Sequence, residues 1–559
     1  MKMTGAEMVV AALKEEQVNV IFGYPGGKVL SLYDAFYEAD IQHYLARHEQ
    51  GAIHAADGYA RVTGQPGVVF TTSGPGATNL VTGLANAYMD SVPLVVFTGQ
   101  VATTLIGTDA FQEADIFGIT LPVTKHNYLV TDVNELPRII KEAFYLAKTG
   151  RPGPILIDLP TDVQVATGEF TYPQAVNIPG YNPTLDGHPG QISRAAQAMA
   201  QAKKPIIYAG GGVVISGADE LLLALAEKAE IPVTTTLTGI GGFPGTHRLS
   251  LGMLGMHGTY YANMAVHEAD LIIAVGARFD DRVTGKLSHF ARTAKIIHID
   301  IDPAEIGKNV SVHVPIVGDV TRVLTTLLGK VKPQTHEAWL AQIAEWRKQA
   351  PLTYLQPEEG EILPQYVIQS IYQVTNGEAL IATEVGQHQM WAAQYYLFKK
   401  PRAFVTSGGL GTMGYGLPAS LGLQIGAPGQ TVFCIAGDGS LQMNLQELAT
   451  AVAYNLPVKI AIINNQYLGM VRQWQEMFYG RRYSSVNLQQ SPDFVKLAEA
   501  FGAVGLRVQK PQEVIPAIKK ALAIPGPVVI DFHVRAEENV FPMVPPNSGI
   551  SEMVRGHEA

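Results

Sequence analysis

The chain of 559 residues is 47% hydrophobic and carries 56 glycines, more than one typical domain holds; roughly two to four domains are expected. A formal net charge of -9, with both signs interspersed and no basic tail or stripe, argues against a nucleic-acid partner. The single cysteine, Cys434, sits in an apolar run and reads as a packed small hydrophobe in a reducing compartment. The N-terminus interleaves acidic residues with its apolar ones, unlike a signal peptide. No run approaches the roughly 18 apolar residues a membrane span needs. A cytoplasmic α/β protein with no membrane partner is expected.

The first segment opens with Thr4 and Glu7 spaced as a capping box ahead of an amphipathic helix. A short strand over 18–22 ends at Gly23-Tyr24-Pro25-Gly26-Gly27. A helix over 28–38 and a strand over 42–47 follow. Glu49 stands at the turn into a helix over 51–63. A strand over 67–71 leads into Ser73-Gly74-Pro75-Gly76, and further strands fall at 94–98 and 155–159, the last closed by Pro160. Such alternation predicts a parallel sheet covered on both faces.

The stretch 164–190, rich in Pro, Gly, Thr and Asn, reads as a linker. The middle segment has strands at 205–209, 231–234, 271–276 and 295–300. Gly210-Gly211-Gly212 follows the first, and Asp300 ends the last. An acidic residue there suits the ribose hydroxyls of a dinucleotide. The glycine run lacks the GxGxxG spacing, so no nicotinamide site is inferred. A charged connection over 331–361, with a helix at 337–348, precedes the last segment.

In that segment a strand over 379–383 ends at Glu384-Val385-Gly386-Gln387-His388. A loop over 408–414 is glycine-rich. The run from Val432 to Ile435 stops at Gly437-Asp438-Gly439-Ser440; a helix and a second apolar run then end at Asn464-Asn465-Gln466. Both polar loops fall at strand C-termini, where open parallel sheets bind ligands. Asp438 and Asn465 offer the hard oxygen ligands Mg2+ prefers, completed by water and phosphates. Free N–H groups after Ser440 favour those phosphates. A helix over 468–478 carries Trp474. A strand over 528–533 precedes a tail with Pro542, Pro545 and Pro546, suited to fold over the site as a lid.

The GDG and NN loops, separated by one helix and one strand, resemble the diphosphate anchor of thiamine-diphosphate enzymes. FGYPGG at 22–27, RHEQGA at 47–52, TSGPGATN at 72–79, GTDAFQE at 107–113 and GRPGP at 150–154 narrow the resemblance. Over essentially its whole length the sequence resembles the catalytic subunits of acetohydroxyacid synthases, also called acetolactate synthases. The resemblance implies three doubly wound α/β domains: pyrimidine-binding at 1–165, FAD-binding at 190–335 and diphosphate/Mg2+-binding at 360–540, with a tail at 541–559.

It further implies a set of site residues. Asp438, the Asn465 side chain and the Tyr467 carbonyl would hold Mg2+ against the diphosphate, with Gly437, Gly439, Ser440, Gln387 and His388 around it. Glu49 would bond the aminopyrimidine N1′, stabilising the imino tautomer that acts as a base beside thiazolium C2. Gly411 would take the amino group on its carbonyl, and Met413 would wedge the cofactor into its bent shape. Gly27 would lie near the reacting carbonyl, and Phe111 and Gln112 would enter from a neighbouring subunit. Arg282 would select 2-ketobutyrate, and Trp474 would shape the acceptor pocket.

LGMHGT at 254–259 and GARFDDRVTG at 276–285 match the family's FAD segments. Implied FAD contacts are Arg151, Gly210, Gly211, Gly212, Thr236 and Leu237. Further along they are His257, Gly276, Arg278, Asp280, Arg282, Asp300, Ile301 and Asp319. The implied reaction decarboxylates pyruvate and ligates the hydroxyethyl-thiamine intermediate to a second pyruvate or to 2-ketobutyrate. It yields 2-acetolactate or 2-aceto-2-hydroxybutyrate for branched-chain amino-acid biosynthesis. A homodimer or homotetramer and a regulatory small subunit are the implied partners. One position departs from the family: Pro160-Thr161-Asp162 stands where Pro-Lys-Asp is usual, removing a cation at the site entrance.

Read without the family, each residue has an ordinary alternative. The Asp438 and Asn465 loops serve equally as turns between buried strands. Glu49 serves as an exposed helix cap, His388 as a solvent-facing loop histidine, and Phe111 and Trp474 as core aromatics. Gly27 is then a turn glycine, Gln112 a surface amide and Met413 incidental, and Arg278 and Arg282 pair with Asp280 and Asp281. Two rival functions remain: another thiamine-dependent 2-keto-acid decarboxylase or carboligase, and a non-catalytic dinucleotide-binding or scaffolding protein.

Overall fold

The computed structural model describes residues 1–556; the last three residues of the expected tail, 557–559, lie outside the described residues. Three six-stranded parallel sheets follow one another along the chain. The opening strand β1 (Lys2–Thr4) leads through the Thr4–Glu7 capping box into the helix Gly5–Glu15. The first sheet comprises β2 (Val20–Tyr24), β3 (Gln42–Leu45), β4 (Gly67–Thr71), β5 (Leu94–Gln100), β6 (His126–Leu129) and β7 (Pro154–Pro160). Its spatial order is β3-β2-β4-β5-β7-β6. The expected linker is partly ordered: β8 (Thr167–Glu169) pairs antiparallel with β1.

The second sheet holds β9 (Pro205–Ala209), β10 (Val233–Thr235), β11 (Ser250–Met253), β12 (Leu271–Val275), β13 (Lys295–Asp300) and β14 (Val314–Val317). Its order is β11-β10-β9-β12-β13-β14. Counted within the sheet this is 3-2-1-4-5-6, the doubly wound order that places dinucleotides at the point where strand order reverses. The third sheet holds β15 (Leu380–Thr383), β16 (Phe404–Val405), β17 (Val432–Gly437), β18 (Lys459–Asn464), β19 (Val504–Val508) and β20 (Val528–His533). Its order, β16-β15-β17-β18-β20-β19, repeats that of the first sheet. Central strands such as β4, β5, β9, β12, β17 and β18 are buried at every position, as expected of sheets covered by helices on both faces.

The first and third units meet through two helices, Glu49–Thr63 and Gly416–Gly426. A Cβ on Gly58 would overlap the Ala419 carbonyl, and one on Gly422 the Ala55 carbonyl. Glycine alone permits this backbone approach. The helix that begins with Glu49 is thereby seated on the third unit.

Candidate active site

In each sheet the chemistry-bearing loops gather where strand order reverses. In the third sheet that point lies between β15 and β17, whose C-terminal loops carry Gln387, His388 and Gly437–Ser440. One cavity is lined by Gln387, His388, Met413, Gly437, Asp438, Gly439, Ser440, Asn465 and Tyr467. The structure thus brings together the residues expected around the diphosphate and Mg2+, with Met413 on the same wall. Gly411 lies two residues before Met413 and is exposed.

Three buried polar atoms of residues lining this cavity have no protein partner: Asp438 Oδ2, His388 Nε2 and Trp391 Nε1. Asp438 is 1% exposed, and burial pushes its carboxyl up to about 7. Burial pushes His388 down to about 3, so its imidazole is neutral, and it is buried rather than facing solvent. An unpaired buried carboxylate is costly unless a cation or donor reaches it. Among the described residues no three His, Cys, Asp or Glu side chains cluster as metal ligands. A dication here would therefore be held by one carboxylate, the Asn465 amide, a main-chain carbonyl and the ligand's own oxygens, a donor set that suits Mg2+. Asn465 is fixed by donating Nδ2 to Gln387 Oε1 at 3.2 Å and accepting the Tyr467 N–H on Oδ1 at 3.2 Å.

A buried glutamate given no role by sequence ties the two walls of this cavity. Glu384 is fully buried and accepts the Gly414 N–H at 2.7 Å, the Leu417 N–H at 3.0 Å and the Ser440 hydroxyl at 2.7 Å. Its only sequence signal is a carboxylate at the end of an apolar strand.

In the first sheet, order reverses between β2 and β4. Gly26 packs against Thr72 there, and Glu49 Oε1 approaches Gly76. Glu49 begins its helix rather than preceding it, half-buried, and accepts Asn79 Nδ2 on Oε2 at 2.9 Å. A Cβ on Gly27 would meet nothing within 4 Å, so that loop faces open space. Gln112, at φ 63°, lies against Gly74, while Phe111 is 81% exposed and so is no core aromatic in this chain. Glu49, Gly27, Phe111 and Gln112 form one group on the first unit. None of them lines the Asp438 cavity of the same chain.

The second sheet carries a cleft at its reversal point, between β9 and β12, with a cavity volume of about 210 Å³. Its walls include Arg151, Gly211, Gly212, Thr236, Gly276 and Arg278, then Asp280, Asp300, Ile301 and Asp319. Gly210 backs it: a Cβ there would overlap the Gly276 carbonyl, and one on Gly212 would stand 2.7 Å from Gly276 Cα. Arg151 bridges from the first unit to Glu305 at 2.7 Å and Asp302 at 3.3 Å. Burial raises Asp300 to about 6. Asp280 caps its own short helix through the N–H groups of Arg282 and Val283.

Leu237, His257 and Arg282 are not among the residues lining this cleft. Leu237 packs on the core of the third unit. His257 is buried, and its carbonyl accepts Gln394 Nε2 at 3.0 Å. Arg282, 3.7 Å from Asp281, instead lines a pocket with Trp474, Met256 and the tail residues Val544, Pro545 and Pro546. The tail lies across the units: the Val544 N–H donates to the Met256 carbonyl at 2.8 Å, and Gln473 Nε2 donates to the Val540 carbonyl at 3.0 Å. Trp474 is half-buried and also borders an apolar pocket with Met470 and Val471. The expected pairing of Arg282 with Trp474 around an acceptor pocket is thus geometrically available.

Three family descriptions match in sequence order. The N-terminal TPP binding domain of thiamine pyrophosphate enzymes matches residues 3–119, the central domain 192–327 and the C-terminal TPP binding domain 384–532. The chain is 50% identical over 564 residues to the acetolactate synthase isozyme 3 large subunit of Escherichia coli, covering 99% of this chain and 98% of that one. It is 52% identical over 563 residues to the acetolactate synthase large subunit of Corynebacterium glutamicum, covering 99% and 90%. It is 52% identical over 555 residues to the acetolactate synthase large subunit IlvB1 of Mycobacterium tuberculosis, covering 97% and 90%. The chain therefore belongs to the acetolactate synthase large-subunit family of thiamine-pyrophosphate enzymes.

Proposed function

We infer that this protein joins two pyruvates into 2-acetolactate with loss of CO2, and pyruvate with 2-ketobutyrate into 2-aceto-2-hydroxybutyrate, for branched-chain amino-acid biosynthesis. The observation that carries this is one cavity joining Asp438, Asn465, His388 and Met413, in a chain similar to acetolactate synthases along nearly all its length. When bound, thiamine diphosphate supplies the nucleophilic carbon and the electron sink for decarboxylation.

The chain's own residues do the rest. Asp438, Asn465 and the Tyr467 carbonyl hold Mg2+; Gln387, His388 and the Gly437–Ser440 loop hold the diphosphate. Gly411 and Met413 orient the aminopyrimidine end. Glu49, with Oε2 engaged by Asn79, would share a proton with the bound aminopyrimidine through its other oxygen. Arg282 holds the acceptor carboxylate, favouring a second keto acid over water, and Trp474 shapes the pocket around it. Gly27 would lie near the reacting carbonyl, and Phe111 and Gln112 would enter the site from the neighbouring subunit.

Because Glu49 and its neighbours do not line the Asp438 cavity of their own chain, a second copy completes each site. A homodimer is the smallest active unit, a homotetramer a pair of these, and a regulatory small subunit a further partner. Gly210, Gly211, Gly212 and Asp300 would hold FAD in the cleft of the second sheet, where it would serve as a structural group. The cleft residues Arg151, Thr236, Gly276, Arg278, Asp280, Ile301 and Asp319 complete its surroundings. Leu237, His257 and Arg282, which do not line the cleft, are the remaining FAD contacts that the family resemblance implies. The domains run 1–165, 190–335 and 360–540, with the tail at 541–559, and the protein is cytoplasmic. No helix among the described residues is long and apolar enough to cross a membrane.

Pyruvate turnover with and without thiamine diphosphate and Mg2+, with all products identified, tests this reading. Acetaldehyde as the main product would replace it with a simple decarboxylase.

A further inference from the structure

Asp90, the last residue of the helix Val81–Asp90 in the first unit, has no role in the reading above. Its side chain is wholly buried and grips another unit's backbone: Oδ2 accepts the Gly408 N–H at 2.9 Å and Oδ1 accepts the Gly409 N–H at 2.7 Å. Arg61 Nη2 neutralises it at 2.9 Å and reaches Asp57 through Nε at 2.7 Å. Both Arg61 and Asp57 lie on the helix that begins with Glu49. Farther along the same loop, the Ser407 hydroxyl accepts the Thr412 N–H at 2.8 Å and donates to Asn86 at 2.6 Å. The backbone entering Gly411 and Met413 is therefore held from the first unit.

Asp90 also lines the second-sheet cleft. The loop it grips touches that cleft as well: a Cβ on Gly408 would stand 2.5 Å from the Thr238 side chain, and one on Gly409 would stand 3.4 Å from Arg278 Nη2. Thr238 and Arg278 are cleft residues. A ligand ordering that wall orders the loop, and two binding sites sharing an element affect each other's affinities equally.

We propose that Asp90 is a positioning residue for the Met413 loop and that it couples occupancy of the second-sheet cleft to thiamine diphosphate binding. The coupling rests on the assignment of FAD to that cleft. Asp90 touches neither reacting group; it acts through the Gly408 and Gly409 N–H groups.

The test uses the full chain stripped of cofactors. Thiamine diphosphate affinity, with Mg2+ present, is measured by calorimetry with and without FAD, and retained flavin is read by absorbance after gel filtration. FAD is expected to tighten thiamine diphosphate binding by roughly five- to a hundredfold in the wild type, and by much less in Asp90→Asn. Glu384→Gln, which disturbs the loop from its other side, is expected to weaken thiamine diphosphate binding while keeping the FAD effect. Hydrogen exchange of peptides spanning 405–414 in the wild type needs no variant, and FAD alone is expected to slow it. Flavin that binds without changing exchange or affinity overturns the coupling and leaves the FAD assignment standing. Flavin that does not bind overturns both. An undiminished FAD effect in folded Asp90→Asn overturns the role of Asp90.

Discussion

The Glu447 carboxylate accepts the Arg47 backbone N–H on both oxygens, Oε1 at 3.0 Å and Oε2 at 3.2 Å, two residues ahead of Glu49. Glu447 belongs to the third unit and is 1% exposed, while Arg47 leads into the first unit's helix Glu49–Thr63. The entry of that helix is thus set by a buried carboxylate some four hundred positions away in sequence. Glu447→Ala leaves a buried N–H without its acceptor, a loss of about 1–3 kcal/mol. Thermal unfolding should show that loss together with reduced turnover, whereas Glu447→Gln, which keeps a carbonyl acceptor, should lose less of both. Equal behaviour of the two variants would separate the contact from the function.

Glu49→Gln keeps the shape of the side chain and the capacity to accept from Asn79. It removes the carboxylate proposed to share a proton with the aminopyrimidine. Turnover should fall by about 10²- to 10⁴-fold, the usual scale of one acid–base group. Binding of Mg2+ and thiamine diphosphate, titrated directly, should change little. Unchanged turnover would remove Glu49 from the chemistry.

Asp158, buried in β7, accepts the Thr98 hydroxyl at 2.7 Å and Gln100 Nε2 at 2.9 Å. Burial outweighs those bonds and raises its carboxyl from 3.8 to about 7. The native state therefore holds this proton more tightly than the unfolded chain does. Its contribution to stability is fully present below the unfolded value and is lost as pH rises through the native one. Asp158→Asn carries no such proton. Its melting temperature relative to the wild type should rise progressively between pH 3.8 and about 7; a constant difference across that window contradicts the burial argument.

Gly210→Ala places a methyl group on the Gly276 carbonyl at the head of the second-sheet cleft. The purified variant should carry no flavin, while its third unit still binds Mg2+ and thiamine diphosphate at the weaker affinity of the flavin-free wild type. Flavin retained at wild-type stoichiometry would move the dinucleotide elsewhere.

The parts of the site that lie in single loops were legible in the sequence. Asp438 and Asn465 each follow an apolar strand at once, so their place at the sheet edge follows from local pattern, while His388 stands in the first turn of the helix that follows β15. Strands 67–71, 205–209, 295–300 and 528–533 fall where periodicity puts them. Short strands such as β6 and β11 carry too few apolar residues to stand out, and β14 is four residues interrupted by Pro315; each forms because a neighbour supplies its hydrogen bonds. The β1–β8 pair escaped notice for the same reason, its linker composition outweighing a three-residue ladder.

Residues whose role depends on contacts between units were not legible. Glu384, Glu447 and Asp90 look like ordinary acidic residues near apolar runs, yet each satisfies N–H groups from distant loops. No spacing rule connects Asp90 to Gly408. Arg282 and Trp474 share a pocket only because the tail closes against both.

Pyruvate consumption and product identity, followed with and without thiamine diphosphate and Mg2+ and again with 2-ketobutyrate added, test the central claim most directly. Turnover should require both cofactors, giving 2-acetolactate from pyruvate alone and 2-aceto-2-hydroxybutyrate once 2-ketobutyrate is present. Cofactor-independent turnover, or acetaldehyde as the principal product, would contradict it.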